Sequence, residues 1–219
     1  MLKRILEADI VNAKTDFLLE LGQLTDKTVN SLTHSFSNLP KSEYLDGAFR
    51  LRRFSHFIYT EQQLTELPIK AFSQNPEINS FQGNVARKYP TIESAVVESN
   101  AFAEMFTKFK QMTDIKDEMP IEVHQMRILG SKNTITEAAP EGVHQDGFDY
   151  LAVFVIDRKN IAGGEICVHP TKEQAPIFKH AFDNGEFVVL NDKRFWHSAA
   201  SLQAVNDNLA YMDVFVLTA

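Results

Sequence analysis

The sequence contains very little cysteine: Cys167 is the single one among 219 residues. One thiol excludes a framework of intramolecular disulfides, and it also excludes a zinc site built from several cysteines. The segment GEICVH around Cys167 has the pattern of a strand. We therefore expect Cys167 to be a small buried residue of the core.

Positive charge and long apolar runs are also scarce. The chain has 22 Lys and Arg against 29 Asp and Glu, which gives a formal net charge of −7. That balance disfavours a general role in binding nucleic acid, which needs a basic surface. No run is long and apolar enough to span a membrane. Residues 1–22 mix charged and apolar positions, which fits an amphipathic helix better than a signal peptide. We expect a soluble, cytoplasmic protein.

The remaining patterns divide the chain into two parts. Helical spacing dominates the first half, including residues 91–112 with Thr91 as the N-cap, although residues 49–60 favour strands. The second half consists of short strand patterns separated by turn signals. We predict a single α+β domain over residues 1–219. Residues 1–120 would form a support region of helices and strands, and residues 121–219 a jelly-roll-like β core with the N-terminal helices packed on it.

A metal site is suggested by two short motifs. His144 and Asp146 stand one residue apart, directly before the strand pattern of residues 150–156, and His197 follows a later strand pattern. Two imidazoles and one carboxylate on one side of a metal leave three positions open, which non-heme Fe(II) oxygenases use for O₂ and substrate-derived ligands. The alternative is a polar turn before a core strand, because a lone His-x-Asp is a weak signal.

The longer stretch VHQDGFDYLAVFVIDRKNIAGGEICV resembles the corresponding part of bacterial 2-oxoglutarate/Fe(II) dioxygenases that hydroxylate free amino acids, the L-isoleucine 4-hydroxylase group. The resemblance includes the His-x-Asp, the Asn160-x-x-Gly163-Gly164 turn and His197. It implies a double-stranded β-helix and Fe(II) bound by His144, Asp146 and His197. It further implies 2-oxoglutarate and O₂ as co-substrates, and a small-molecule substrate, an amino acid or similar compound.

The chain departs from this pattern at the position that should anchor 2-oxoglutarate. In the resembling family an Arg-Asp pair on the last strand holds the distal carboxylate, whereas here Met212 precedes Asp213. Ala200 and Ser201 likewise replace a Thr-Pro pair. A methionine cannot offset a buried carboxylate. Three explanations stay open: a relocated anchor, a different co-substrate that leaves the enzyme independent of 2-oxoglutarate, or a non-catalytic module that binds a metal or ligand.

Several residues are candidates for binding the co-substrate and the substrate. Gln125 and Arg127 share one face of a predicted strand and are the first candidates for the co-substrate region with Met212, and Arg158 and Arg194 are further cations. The basic positions that match the resembling family are Arg50, Arg52 and Arg87, which would bind a substrate carboxylate. Trp196 is a candidate wall of the cavity, and Asp192 or Asp213 would accept a hydrogen bond from a metal-bound histidine.

Overall fold

The computed structural model describes residues 3–6, 18–76, 79 and 81–219, with the backbone alone for residues 3–6. Its helices are α1 (Asp26–Thr33), α2 (Ser94–Val97) and α3 (Asn100–Met112), with a 3₁₀ turn at His34–Phe36. Its strands are β1 (Lys3–Leu6), β2 (Leu19–Gln23), β3 (Arg50–Thr60), β4 (Gln63–Glu66), β5 (Ile121–Leu129), β6 (Tyr150–Lys159), β7 (Ile161–Gly163), β8 (Ile166–His169), β9 (Phe178–His180), β10 (Glu186–Asn191), β11 (Trp196–Ala199), β12 (Leu202–Ala204) and β13 (Tyr211–Thr218).

One large antiparallel sheet organises the molecule. Its eight strands follow the order β1-β2-β10-β6-β13-β5-β3-β4. A three-stranded sheet, β11-β8-β9, and the pair β12-β7 complete the β structure. Isolated bridges join Thr136 to Leu202 and His144 to His197, so the long loop between β5 and β6 also pairs with these smaller sheets. The result is a jelly-roll, or double-stranded β-helix, core, as predicted.

The two faces of the large sheet have different neighbours. Side chains alternate along each strand, so every second residue points to the same face. One face packs against α1 and α3, where Phe57 and Phe215 contact the rings of Phe102 and Phe36. The opposite face carries residues such as Ile128 and belongs to a second apolar cluster with β8 and β10. This second face forms a wall of the cavity described below.

Two helix predictions were wrong in detail. The helix predicted at the start of the chain is replaced by strands at Lys3–Leu6 and Leu19–Gln23, since β2 completes a backbone ladder with β10. The intervening residues 7–17 of that prediction lie outside the described residues. The helix predicted over residues 91–112 is two helices, because the Ser99 hydroxyl accepts a hydrogen bond from the Phe102 N–H and starts α3 there.

The predicted division at residue 120 stays a prediction. In the structure β3 lies beside β5, and β2 lies beside β10, within the same large sheet. Cys167 is buried on β8, as expected. Among the described residues, no helix is both long enough and apolar enough to cross a membrane.

Candidate metal centre

His144 and His197 are brought together by the backbone itself. The two residues form an antiparallel bridge in which His144 N–H donates to the His197 carbonyl at 2.9 Å and His197 N–H donates to the His144 carbonyl at 2.8 Å. Directly opposed residues of such a pair place their side chains on the same face. Their imidazole rings lie with centroids 4.3 Å apart. This pairing turns two distant sequence positions into one site.

Asp146 completes the group. Its Oδ1 lies 3.6 Å from Nε2 of His144, and its Oδ2 lies 3.5 Å from Nε2 of His197. One ligand atom from each of the three residues falls within 4.8 Å of the others. The chain thus places two nitrogens and a carboxylate oxygen around one point in space.

The charges in this group stabilise one another. Burial alone would raise the pKa of Asp146, but hydrogen bonds from His144 and His197 hold it well below its usual value. Burial would lower the pKa of His197, yet its contacts with Asp146 and Asp192 raise that pKa to about 10. The two carboxylates thus favour the protonated form of His197.

The far nitrogens of both imidazoles also lie close to oxygen atoms. Nδ1 of His144 lies 2.9 Å from the carbonyl oxygen of Gly142, and Nδ1 of His197 lies 3.3 Å from Oδ1 of Asp192. Asp192 is fully buried, and its Oδ2 accepts hydrogen bonds from the N–H groups of Gly147 and Phe148. Asp192 is thus the carboxylate behind the histidine. The other candidate, Asp213, instead pairs with Arg127.

This arrangement fits a divalent iron. Because Nδ1 of each histidine faces another acceptor, Nε2 of each is the nitrogen left to bind a metal. Two imidazoles and one carboxylate on the same side form the donor set of non-heme Fe(II) oxygenases. His144, Asp146 and His197 could therefore hold Fe(II).

A cavity opens next to the three residues. It has a volume of about 120 Å³, and its wall includes all three donors together with Arg50, Arg52 and Glu141. Arg50 forms ion pairs with Asp46 at 3.2 Å and with Glu141 at 3.0 Å. Arg52 reaches Asp46 at 3.4 Å and lies over the ring of Tyr89. The structure therefore brings Arg50 and Arg52, two of the predicted substrate residues, to the cavity.

Burial and neighbouring charges shift pKa values in the charged cluster formed by Arg50, Arg52, Asp46 and Glu141. Burial opposes ionisation of Glu141, but Arg50 and His144 lower the pKa of Glu141 to about 2. Burial, together with the charge of Arg50, lowers the pKa of Arg52 to about 10. Glu141 and Arg52 therefore remain ionised at neutral pH. Two guanidinium groups thus face two carboxylates, Asp46 and Glu141.

Two predicted co-substrate residues lie on the wrong face of the sheet. Gln125 donates its amide hydrogens to the backbone and hydroxyl oxygens of Ser35, on the side covered by α1. Arg127 forms a two-bond ion pair with Asp213 at 2.6 and 2.7 Å and stacks on Tyr211. Neither lines the cavity. Their placement does not fit the co-substrate role, because β5 directs Met126 and Ile128 to the cavity instead.

Two predicted substrate residues are also displaced from the cavity wall. Arg87 is fully buried, lies over the ring of Phe72 and donates to Oε1 of Gln74 at 3.2 Å. Trp196 precedes His197 on β11 and therefore points to the other side of the strand, where Lys172 lies over its ring. Arg87 reaches the site through its hydrogen bond to Gln74, and Trp196 does not form a wall of the cavity.

Sequence reasoning missed three residues of the site. Nε2 of Gln74 donates to Oδ1 of Asp146 at 3.0 Å, so Gln74 links Arg87 to the donor group. Glu141 was not singled out, although it stands three residues before His144. His124 also lines the cavity, and burial and the nearby Arg52 hold its pKa well below the usual value. Of these three residues, only Glu141 could have been found from the sequence, because it stands close to His144 in the chain.

Similarity to known proteins agrees with this geometry. The family model described as 2OG-Fe dioxygenase matches residues 33–218. No curated protein matches the chain.

Solved structures with the same fold include a bsmA homologue from Methylobium petroleophilum, with a TM-score of 0.76 and 23% identity over 88% of this chain and 80% of that one. IDO from Bacillus thuringiensis has a TM-score of 0.73 and 14% identity, covering 90% of this chain and 92% of that one. The Fe(II)/α-ketoglutarate-dependent dioxygenase TqaL has a TM-score of 0.63 and 17% identity, covering 89% and 74%.

The structural neighbours establish the jelly-roll fold, while the family model covers most of the sequence, including all three donors. The donor geometry agrees with the iron that this family uses. The chain therefore belongs to the 2OG-Fe dioxygenase family and is an Fe(II)-dependent oxygenase with 2-oxoglutarate as its co-substrate.

Proposed function

We propose that this enzyme oxidises a free amino acid or a similar small zwitterion, with iron held by His144, Asp146 and His197. The observation that carries the proposal is the meeting of this donor group with the Arg50, Arg52 and Glu141 cluster in one cavity. Bound iron with 2-oxoglutarate activates O₂ for oxidation of an unreactive C–H bond.

The charged cluster suits a zwitterion. Within the part of the chain that the structure describes, the Arg52 guanidinium makes one long hydrogen bond, to Asp46 at 3.4 Å, so further N–H groups remain for a carboxylate. Oε2 of Glu141 is buried and has no hydrogen-bond partner among the described residues, whereas Oε1 accepts a hydrogen bond from Arg50. A buried unpaired carboxylate oxygen is a strong acceptor for an ammonium group. Because Arg50 and Arg52 are already balanced by Asp46 and Glu141, a zwitterion adds no net charge.

The substrate side chain would meet an apolar surface. Phe72, Met126, Val214 and Val216 line the same cavity as the charged cluster and the three iron ligands. Phe72 belongs to the segment between β4 and α2, where it pairs with Arg87 through two backbone hydrogen bonds of 2.8 Å. Phe72 and Gln74 both line the cavity, and Gln74 also orients Asp146 through a hydrogen bond. These two residues would help to exclude water and to hold the substrate beside the iron.

Oxygen consumption by the Fe(II)-loaded protein with 2-oxoglutarate tests the proposal. A panel of free amino acids should contain at least one that stimulates O₂ uptake and matched formation of succinate. Replacing Arg52 by Met should raise the KM for that amino acid more than it lowers kcat, because the interaction is made with the substrate carboxylate.

The His197→Ala variant should abolish turnover, since one iron ligand is lost. Turnover that survives this change would contradict the proposed iron site. Uptake of O₂ without succinate would indicate an oxygenase that works independently of 2-oxoglutarate. Binding of amino acids with no O₂ uptake at all would indicate a binding module.

A further inference from the structure

Met212 occupies the apolar end of the cavity. It is buried on β13 and lines the cavity with Ile128, Ile166 and Ala199. In the sheet, Met212 lies opposite Ile128 on β5 and opposite Arg158 on β6. Residues opposed across neighbouring strands share a face. Arg158 is therefore the cation next to Met212 on the cavity side of the sheet.

The guanidinium of Arg158 already touches this methionine. Its Nη1 lies 3.8 Å from Sδ of Met212, and its Nη2 donates to the carbonyl oxygen of Gly163 at 2.6 Å. Arg158 is half-buried, and among the described residues it forms no ion pair with a carboxylate. A thioether sulphur is a weak acceptor, so this contact leaves most of the hydrogen-bonding capacity of Nη1 unused.

The Gly163-Gly164 turn lies against this guanidinium. Gly164 has a φ of +70°, and a Cβ at this position would lie 3.4 Å from Nη1 of Arg158. Gly163 has a φ of +81°, and its carbonyl orients the other guanidinium nitrogen. The turn thus seats Arg158 in one position behind the Met212 side chain.

We propose that Arg158 has taken over the anchoring of 2-oxoglutarate and binds its distal carboxylate. Met212 is unbranched and flexible, so a change of its rotamer moves the thioether away from Nη1 of Arg158. Nη1 can then donate to the carboxylate. A planar guanidinium pairs well with a carboxylate, and the bond to Gly163 keeps the fork in place. Arg158 itself does not line the cavity; its guanidinium lies behind Met212, which does. The other cation candidate, Arg194, is exposed beside the Phe195 ring. The inference rests on the iron site proposed above.

The test is an anaerobic titration of the Fe(II)-loaded protein, followed by the visible charge-transfer band of a chelated 2-oxo acid. Two ligands are compared: 2-oxoglutarate, and 2-oxopentanoate, which has the same chain length without the distal carboxylate. Arg158→Met should weaken 2-oxoglutarate by about 10- to 100-fold, the worth of a charged hydrogen bond. Binding of 2-oxopentanoate should stay within about threefold, a difference worth less than one hydrogen bond.

Three further variants sharpen the result. Arg158→Lys keeps a cation and should weaken 2-oxoglutarate less than Arg158→Met does. The double variant Arg158→Met with Met212→Arg returns a guanidinium to the same site from β13 and should restore binding. Arg194→Met removes an exposed arginine and should leave both affinities unchanged. The lysine and double variants keep the test decisive if Arg158→Met fails to fold.

Equal loss of both ligands in Arg158→Met would overturn the inference, since the damage would then lie at the iron end. Unchanged 2-oxoglutarate binding would overturn it as well, while leaving the proposed iron site intact. A wild-type protein that gives no band with 2-oxoglutarate would overturn both the inference and the proposed function.

Discussion

At the scale of single residues, Asp192 is the group that fixes His197. Its Oδ1 lies 3.3 Å from Nδ1 of His197, while its Oδ2 binds the backbone that follows Asp146. One buried carboxylate therefore orients two of the three proposed iron ligands. Partners of this kind fix the tautomer of the histidine and raise its basicity.

We predict that Asp192→Asn lowers the affinity for Fe(II) by about 10- to 100-fold, the usual effect of removing such a partner. Asparagine keeps an oxygen for the backbone N–H groups but loses the charge that faces the imidazole. Competition with a metal indicator under anaerobic conditions measures the affinity. The matched control is Asp213→Asn, which removes a carboxylate held by Arg127 on the other face of the sheet. Equal losses in both variants would show that Asp192 has no special role.

Glu141 gives a prediction for acid stability. Arg50 and His144 outweigh burial and lower the pKa of Glu141 from 4.5 to about 2 in the folded protein. A carboxylate with a depressed folded-state pKa stabilises the protein above its unfolded pKa, and this contribution is lost as the pH falls from about 4.5 to about 2. The contribution at neutral pH is on the order of 3 kcal/mol.

The Glu141→Gln variant should therefore be less stable than the wild type at pH 7, and the difference should shrink as the pH falls through this window. Urea unfolding at pH 7, 4 and 3 measures the free energies. A difference that stays constant with pH would contradict the assigned ionisation of Glu141.

The sequence predicted the donor group better than its surroundings. His144, Asp146 and His197 come together as their motifs indicate, because one backbone bridge pairs the two histidines. Gln74 and Asp192 depend on loops that are far from one another in the chain. Strand alternation explains the misplaced Gln125 and Arg127: the face that they share was correctly inferred, but which face met the cavity was not.

At the scale of elements, the turn between β7 and β8 depends on glycine. A Cβ on Gly163 would lie 2.1 Å from the carbonyl oxygen of Ser201, at a φ of +81°. Gly142 offers a comparison, since its φ is +74° and nothing lies within 4 Å of its Cβ position. Both positions disfavour other residues by their backbone conformation, but Gly163 also faces a steric clash.

We predict that Gly142→Ala destabilises the protein by about 1–2 kcal/mol, the backbone penalty alone. Gly163→Ala should destabilise it clearly more, because β12 must move away from β7. Thermal and urea unfolding of the two variants give the comparison. Equal effects would show that the close approach of Ser201 relaxes without a penalty.

Local sequence patterns were sufficient to predict most strands, but they did not predict the strands of the N-terminal segment. Alternating or β-rich patterns correctly placed β3, β5, β6 and β13. Leu18, Leu19 and Leu21 fit a helix equally well by spacing, and pairing with β10 decided in favour of a strand. That pairing is a tertiary contact, so periodicity within the segment could not reveal it.

At the scale of the whole molecule, the jelly roll explains why the site lies where it does. The large sheet covers one side of the cavity, and the short strands β8 and β11 cover the other. The helices seal the outer face of the large sheet through a cluster of phenylalanines. This division leaves the inner face free to combine apolar residues with the arginines of β3. The strand-rich second half of the sequence indicated this core, and the participation of β2 and β3 in the same sheet emerged only from their pairing.

The most direct test of the account is the amount of Fe(II) that the protein binds. Anaerobic equilibrium dialysis should give one iron per chain for the wild type. The His197→Ala variant should bind less than about a tenth as tightly, because a direct ligand is missing. His180→Ala, which removes a histidine paired with Glu186 outside the cavity, should bind iron like the wild type. Full iron binding by His197→Ala would contradict the proposed site.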